Sequence, residues 1–145
     1  MNNIEITSMT LDDFYMIEPI YSAFDDFWKP ENLKSELENI NSKCIVAKLD
    51  NNILGFAGIW FSVDDSHITN IVVNKNYRHK GIGSKLLERL IILAKEQNKT
   101  SLTLEVNTKN INAQKLYLKF GFKNLGIRKK YYSGIEDAYI MTLYF

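Results

Sequence analysis

Around residue 80 the apolar pattern of this chain changes period. Residues 66–73 read as an apolar strand, and Ile82, Leu86, Leu87, Leu90, Ile91 and Ala94 then recur at helical spacing in a helix over 83–97. Between the two stands Arg78-His79-Lys80-Gly81-Ile82-Gly83. Leu102, Leu104 and Val106 mark the next strand, so this stretch predicts a β-α-β unit. Upstream, residues 1–7 alternate as a short strand. Thr10, followed by Asp12 and Asp13, predicts a helix start, with Ile17, Ile20, Tyr21 and Phe24 on one face as far as about residue 24. Pro30 opens a second helix to about residue 39. Residues 44–49 and 53–63 form a hairpin across Asp50-Asn51-Asn52, and 66–73 extends it into a meander. Downstream, 111–120 reads as a helix stopped by Gly121, and strands over 122–131 and 136–144 follow. The order β-α-α-β-β-β-α-β-α-β-β predicts a single α/β domain over residues 1–145, with about seven strands in a mixed central sheet flanked by about four helices.

Composition narrows the function. The 145 residues are 46% hydrophobic, enough for a core and too many for a disordered chain. The longest apolar run, 90–94, is too short for a bilayer, and the first ten residues show neither a basic start nor an apolar signal core. A cytoplasmic protein without a membrane partner is expected. The lone cysteine, Cys44, excludes an internal disulfide and a cysteine zinc cluster, and reads as a small buried hydrophobe. His67 and His79 are isolated and read as surface residues, so no metal is expected. A net charge of +1 argues against a protein held mainly by nucleic-acid phosphates.

The loop between strand and helix suits a diphosphate. Such a group needs many donors converging on a small volume, and backbone amides supply them where side chains do not block the approach. The free amides and dipole of a helix start complete such a site, and Arg78 and Lys80 add positive potential at its rim. The dinucleotide fingerprint needs a third glycine where Leu86 stands, and the nucleotide P-loop needs a glycine further upstream and Gly-Lys-Ser/Thr where Gly83-Ser84-Lys85 is found. Gly-x-Gly alone is equally compatible with a plain loop-to-helix turn carrying solvated charges.

Taken with its surroundings, the loop resembles the coenzyme A loop of the GNAT acetyltransferase superfamily. The strand Thr69-Asn70-Ile71-Val72-Val73 is similar to the family strand that pairs with the pantetheine arm. Leu104-Glu105-Val106, Asn110, Leu116-Tyr117 and Phe120-Gly121-Phe122 follow the next family block in order and spacing. Arg128-Lys129-Lys130-Tyr131-Tyr132 and Glu136-Asp137-Ala138-Tyr139-Ile140-Met141, together with Trp28 in Phe27-Trp28-Lys29-Pro30, resemble the RimI branch, which acetylates the N-terminal alanine of a small-subunit ribosomal protein. The likeness spans about residues 1–145 and is densest after Ile68. Phe27 and Ser133 stand where that branch typically has proline, in the region where a protein acceptor would dock.

The resemblance implies a GNAT fold and transfer of acetyl from acetyl-CoA to an amine. Ile71, Val72, Val73, Arg78, His79, Lys80, Gly81, Ile82, Gly83, Ser84, Asn110 and Tyr117 are then expected to bind the coenzyme. Glu105 becomes the general base and Tyr117 the general acid toward the coenzyme A sulfur, while Trp28, Tyr131 and Tyr132 line the acceptor groove. From the residues themselves other roles stand beside these. Glu105, facing away from Leu104 and Val106, is as readily a solvated strand residue. Tyr117 fits a core stripe, Asn110 a helix cap, Trp28 a core or lid position and the two tyrosines ordinary packing. Glu136 and Asp137 either draw in a cationic acceptor or form a solvated turn. Three functions follow: a RimI-like transferase acting on a ribosomal protein N-terminus, a transferase for a small amine such as a polyamine, amino acid or drug, and a non-catalytic acyl-CoA-binding module. Having both Glu105 and Tyr117 argues against the third.

Overall fold

A computed structural model describes residues 3–19, 30–132, 134 and 136–145. The elements run β1 (Glu5–Ser8), α1 (Leu11–Ile17), α2 (Pro30–Glu38), β2 (Ser42–Leu49), β3 (Asn52–Phe61), β4 (Asp65–Val73), α3 (Ile82–Glu96), β5 (Ser101–Asn107), α4 (Ile111–Lys119), β6 (Lys123–Tyr132) and β7 (Glu136–Tyr144). This is the expected order. Among the described residues seven strands form one sheet, β1-β2-β3-β4-β5-β7-β6, in which β4 and β5 are the parallel pair. β7 inserts between β5 and β6, so the last hairpin folds back onto the β-α-β unit.

The helices cover both faces. On one face the α3 stripe of Ile82, Leu86, Leu87, Leu90, Leu93 and Ala94 packs on Ile45, Ala47, Leu54, Ala57, Ile59, Ile68, Leu102 and Leu104. On the other, Phe14 and Ile17 of α1 and Leu33 of α2 meet Cys44, Val46, Ile53, Phe56 and Val72. Removing one such large side chain from water contributes roughly 1.5–3 kcal/mol. α1 is anchored by the predicted Thr10 cap: the Asp13 amide donates to Thr10 Oγ1 at 3.1 Å, and the Thr10 amide donates to Asp13 Oδ2 at 3.0 Å. The α-helical turns end at Ile17, short of residue 24, and the Ile20, Tyr21 and Phe24 positions lie outside the described residues.

β4 and β5 pair over just three positions, Asp65 with Ser101, Ser66 with Leu102 and His67 with Thr103. Side chains fasten this end: Ser66 Oγ donates to the Ser101 carbonyl at 2.6 Å, and Ser101 and Thr100 hydroxyls donate to Asp65 Oδ1 at 3.2 Å. Beyond it β4 stays on β3 as far as Val73, and β5 stays on β7 as far as Asn107, so the sheet opens between them. The register of β4 on β3 slips between Gly58 and Ile59, leaving Thr69 as the extra residue. A bulge bends its strand, and this one lies two residues past the last β4–β5 pair.

Gly58 makes room for the bulge. A Cβ there would fall 2.5 Å from Thr69 Oγ1 and 3.0 Å from Asn70 Nδ2. Gly58→Ala is expected to destabilise the protein by roughly 1–3 kcal/mol and to lower turnover, with Thr69→Ala in the same chain recovering part of the loss. Denaturant unfolding of the single and double variants checks this, and full stability in the single variant would remove the steric argument.

Asp13 supplies a pH test of the same architecture. It is buried and paired with Lys48. Burial alone would raise its carboxyl, yet the Lys48 ammonium and the Thr10 amide hold it below the ordinary carboxylate range. A depressed carboxylate stabilises the fold above its unfolded-state value, near 3.9, and that contribution disappears as pH falls through the lower folded value. Asp13→Asn should be less stable than wild type by roughly 1–3 kcal/mol near neutrality, with the difference shrinking below about pH 4. Unfolding curves across that range decide it.

Candidate active site

The opening between β4 and β5 leaves backbone groups that need partners. The Asn74 amide donates to the Leu54 carbonyl of β3 at 2.8 Å. Because successive amides of a strand point to opposite sides, Val72 also directs its amide at β3, whereas Ile71 and Val73 direct theirs into the gap. The three strand residues expected at the coenzyme thus divide: two offer backbone donors, and Val72 is buried against α1 and α2. Arg78 Nε donates to the Val73 carbonyl at 3.4 Å, which ties the loop to the rim of the gap.

Past Val73 a short 3-10 turn, Lys75–Tyr77, leads into the glycine loop. His79 and Gly81 both adopt positive φ, 63° and 80°. Gly81 is the N-cap of α3 and makes no side-chain cap hydrogen bond. The first helical bond runs from the Lys85 amide to the Gly81 carbonyl, so the amides of Ile82, Gly83 and Ser84 have no partner within the helix. A Cβ built on Gly81 meets nothing within 4 Å, while one on Gly83 would come 3.6 Å from Leu116 of α4. The loop therefore offers converging amides, open space in front of Gly81 and exposed Arg78, His79 and Lys80. That chemistry fits a diphosphate.

Glu105 is not a solvated strand residue. Its side chain is 7% exposed, with His67 Nε2 2.7 Å from Oε2 and Arg128 Nη1 3.6 Å from Oε1. It shares its face of the sheet with α1 and α2, since Leu104 and Val106 face α3. His67, read from sequence as an isolated surface residue, is in fact a partner of Glu105. Arg128, which the sequence offers within the RimI-like stretch without a role of its own, reaches the same carboxylate from β6 and places its guanidinium 5.1 Å from the Tyr131 ring centroid. Burial and the nearby Glu105 carboxylate push the Tyr131 phenol up. Tyr131 thus stands beside the Glu105 cluster. Trp28 and the Tyr132 side chain lie outside what the structure describes. The Lys129 ammonium lies 3.5 Å from Asp137 Oδ2, the Lys130 backbone amide donates to Asp137 Oδ1 at 2.8 Å, and Glu136 faces Lys109 at 3.5 Å.

Tyr117 lies on the opposite side. It packs on the α3-face core, its ring 5.8 Å from that of Phe122, and burial pushes its phenol up to about 12. Asn110 caps α4, its Oδ1 accepting from the Ala113 amide at 3.1 Å. Among the described residues no group of three His, Cys, Asp or Glu could hold a metal ion, and no helix is long and apolar enough to cross a membrane.

A mixed sheet parted between its two parallel strands, with a glycine-rich helix start at the mouth of the gap, makes a site for an extended ligand that ends in a diphosphate. Comparison with known proteins makes the class specific. Residues 5–122 match the model of the Acetyltransferase (GNAT) family, and the chain belongs to that family. It is 34% identical, over 99% of its length and 97% of the other's, to the [ribosomal protein bS18]-alanine N-acetyltransferase of Salmonella typhimurium. It is 40% identical, over 90% of its length and 87% of the other's, to a Bacillus subtilis protein provisionally named for the same activity. The crystal structure of the Escherichia coli ribosomal-protein-S18-alanine N-acetyltransferase superposes with a TM-score of 0.88 at 29% identity, covering 98% of this chain and 94% of that one. The protein is an N-acetyltransferase of the GNAT fold, with acetyl-CoA as its acetyl donor.

Gly81→Val would force a β-branched residue into the left-handed region and fill the space before the loop amides. Acetyl-CoA affinity, measured by calorimetry, is expected to weaken at least about tenfold. Unchanged affinity would move the diphosphate elsewhere.

Proposed function

We propose that this protein acetylates the α-amine of an N-terminal alanine on a small-subunit ribosomal protein, within the cytoplasm, as a single transferase domain. The reading is carried by Glu105, which lies on β5 two residues past its last pair with β4, with Tyr117 packed on the opposite, α3 side of the sheet. It is supported by relatives of that stated activity that align over nearly their whole length.

In this scheme the glycine loop and the Ile82, Gly83 and Ser84 amides grip the diphosphate of acetyl-CoA, and the pantetheine arm pairs with the Ile71 and Val73 amides. The thioester then lies in the gap. The acceptor enters on the α1/α2 face, where Tyr131 contributes to its groove. An N-terminal amine titrates near 7.7–8.0, so part of it is protonated at neutral pH, and the attacking form must be neutral. Glu105 removes the proton directly or through a water. His67 and Arg128 hold the carboxylate by separate oxygens, and His67, one-third exposed, gives that proton a way out to solvent. The amine nitrogen bonds to the carbonyl carbon, strand amides hold the resulting oxyanion, and collapse breaks the carbon–sulfur bond. Tyr117 donates its proton to the departing sulfur, and the nitrogen gives up its second proton, which returns through water to the phenol. The products are the acetylated N-terminus and the free thiol of coenzyme A.

An ordinary phenol would be losing its proton near pH 10. With its phenol at about 12, Tyr117 remains a donor through that range, because the protonated form is favoured until pH passes the higher value. Wild-type kcat should therefore show no fall centred near pH 10. Tyr117→Phe and Glu105→Gln should each lower kcat by about a hundredfold or more, with little change in acetyl-CoA affinity. Near-normal rates in both variants would refute the assigned roles. The acceptor is tested by thiol release from acetyl-CoA with a short alanine-leading peptide, the same peptide with a blocked N-terminus, and a panel of small amines. Turnover of the first alone is expected, whereas preferential turnover of small amines would replace the ribosomal acceptor with a small-molecule one.

A further inference from the structure

One buried polar atom near the gap has no partner. Asn70 Oδ1 is out of contact with water and accepts no hydrogen bond. Its orientation is fixed from the other end of the amide: Nδ2 donates to Glu36 Oε2 of α2 at 2.9 Å and lies 3.3 Å from Thr69 Oγ1. A carboxylate only accepts, so the nitrogen must face Glu36 and the oxygen must face away. An unsatisfied buried acceptor is costly and uncommon, and it stands here at the Thr69 bulge.

Asn70 lies opposite Gly58 on β3 and on the same face as Val72, hence on the Glu105 side of the sheet, three residues past the last β4–β5 pair. Glu36 adds a second anomaly. It is half-buried, and among the described residues the groups that hydrogen-bond it are neutral, Thr69 and Asn70; burial raises its carboxyl above the ordinary range despite them. A carboxylate and an orphaned amide oxygen side by side suit a positively charged donor.

We propose that Asn70 Oδ1, backed by the Glu36 carboxylate, receives the ammonium of the acceptor's N-terminus and hands it, oriented, to Glu105. The inference rests on the acceptor reading above and assigns it a recognition point. The site is closed to bulk water in this structure, so acceptor binding opens it. The ammonium satisfies Asn70 Oδ1 and offsets the charge of Glu36. As the proton passes to Glu105, the neutral amine keeps an N–H for Asn70 and turns its lone pair to the thioester carbon.

The test compares two probes on the full chain with coenzyme A bound: a short alanine-leading peptide and its desamino counterpart, in which a propionyl group replaces the alanyl. Wild type should prefer the amine-bearing peptide by about tenfold or more. In Asn70→Ala that preference should fall several-fold, while the KM for acetyl-CoA is unchanged. Glu36→Gln should reduce the preference in the same direction, and it carries the comparison if Asn70→Ala does not fold. An undiminished preference in the folded variants overturns the proposal. So does equal weakening of both peptides, which would mark Asn70 as a structural support. If wild type neither binds nor acetylates any peptide, the acceptor reading itself has failed and this inference falls with it.

Discussion

Everything at this site depends on the parting of two parallel strands that pair over three residues. Hydrogen-bonded sheets do not leave backbone donors idle in a protein interior, so a gap of this kind marks a place where another molecule supplies the missing strand. Each strand at the gap keeps its outer neighbour, β3 for β4 and β7 for β5. Ser66, Ser101, Thr100 and Asp65 fasten the closed end and fix the angle at which the halves diverge. The bulge at Thr69 supplies the bend, and the absence of a side chain at Gly58 lets the bulge exist.

The chemistry is then distributed by the pleat. Alternation along β5 sends Leu104 and Val106 into the α3 core and Glu105 to the other face. The α3 core holds Tyr117 in a dry environment that keeps its proton, while the α1/α2 face gathers Glu105, His67, Arg128 and Tyr131. Their elements meet because β7 inserts between β5 and β6 and lets the long Arg128 side chain reach over it. Cys44 belongs to the second core, its thiol pushed up to about 12 by burial and by Glu36.

Much of this was legible in the sequence where local rules govern. The α3 stripe, the Thr10 cap with Asp13, the Gly121 stop after α4 and the meander are short-range patterns, and they appear as expected. The glycine loop was legible as a helix start with open amides. The gap was not, because it is a failure of pairing between strands separated by a long helix, and no local pattern encodes a register that ends early. The Glu105 partners were hidden for a related reason. His67 looks isolated along the chain, and only the parallel alignment of β4 with β5 brings it to the carboxylate. Gly58 did carry a signal, a glycine inside an otherwise apolar strand, whose meaning depended on the residue facing it across the ladder.

The placement of Glu105 and Tyr117 on opposite faces has a kinetic consequence. Under the proposed roles, carrier and acceptor come to the gap from different sides, so neither blocks the other's entrance and both are held at once. The proposed arrangement corresponds to direct transfer within a ternary complex. A double-displacement route through a cysteine would need an accessible thiolate, and the one thiol in the chain, Cys44, is buried in the core with its ionisation pushed up to about 12.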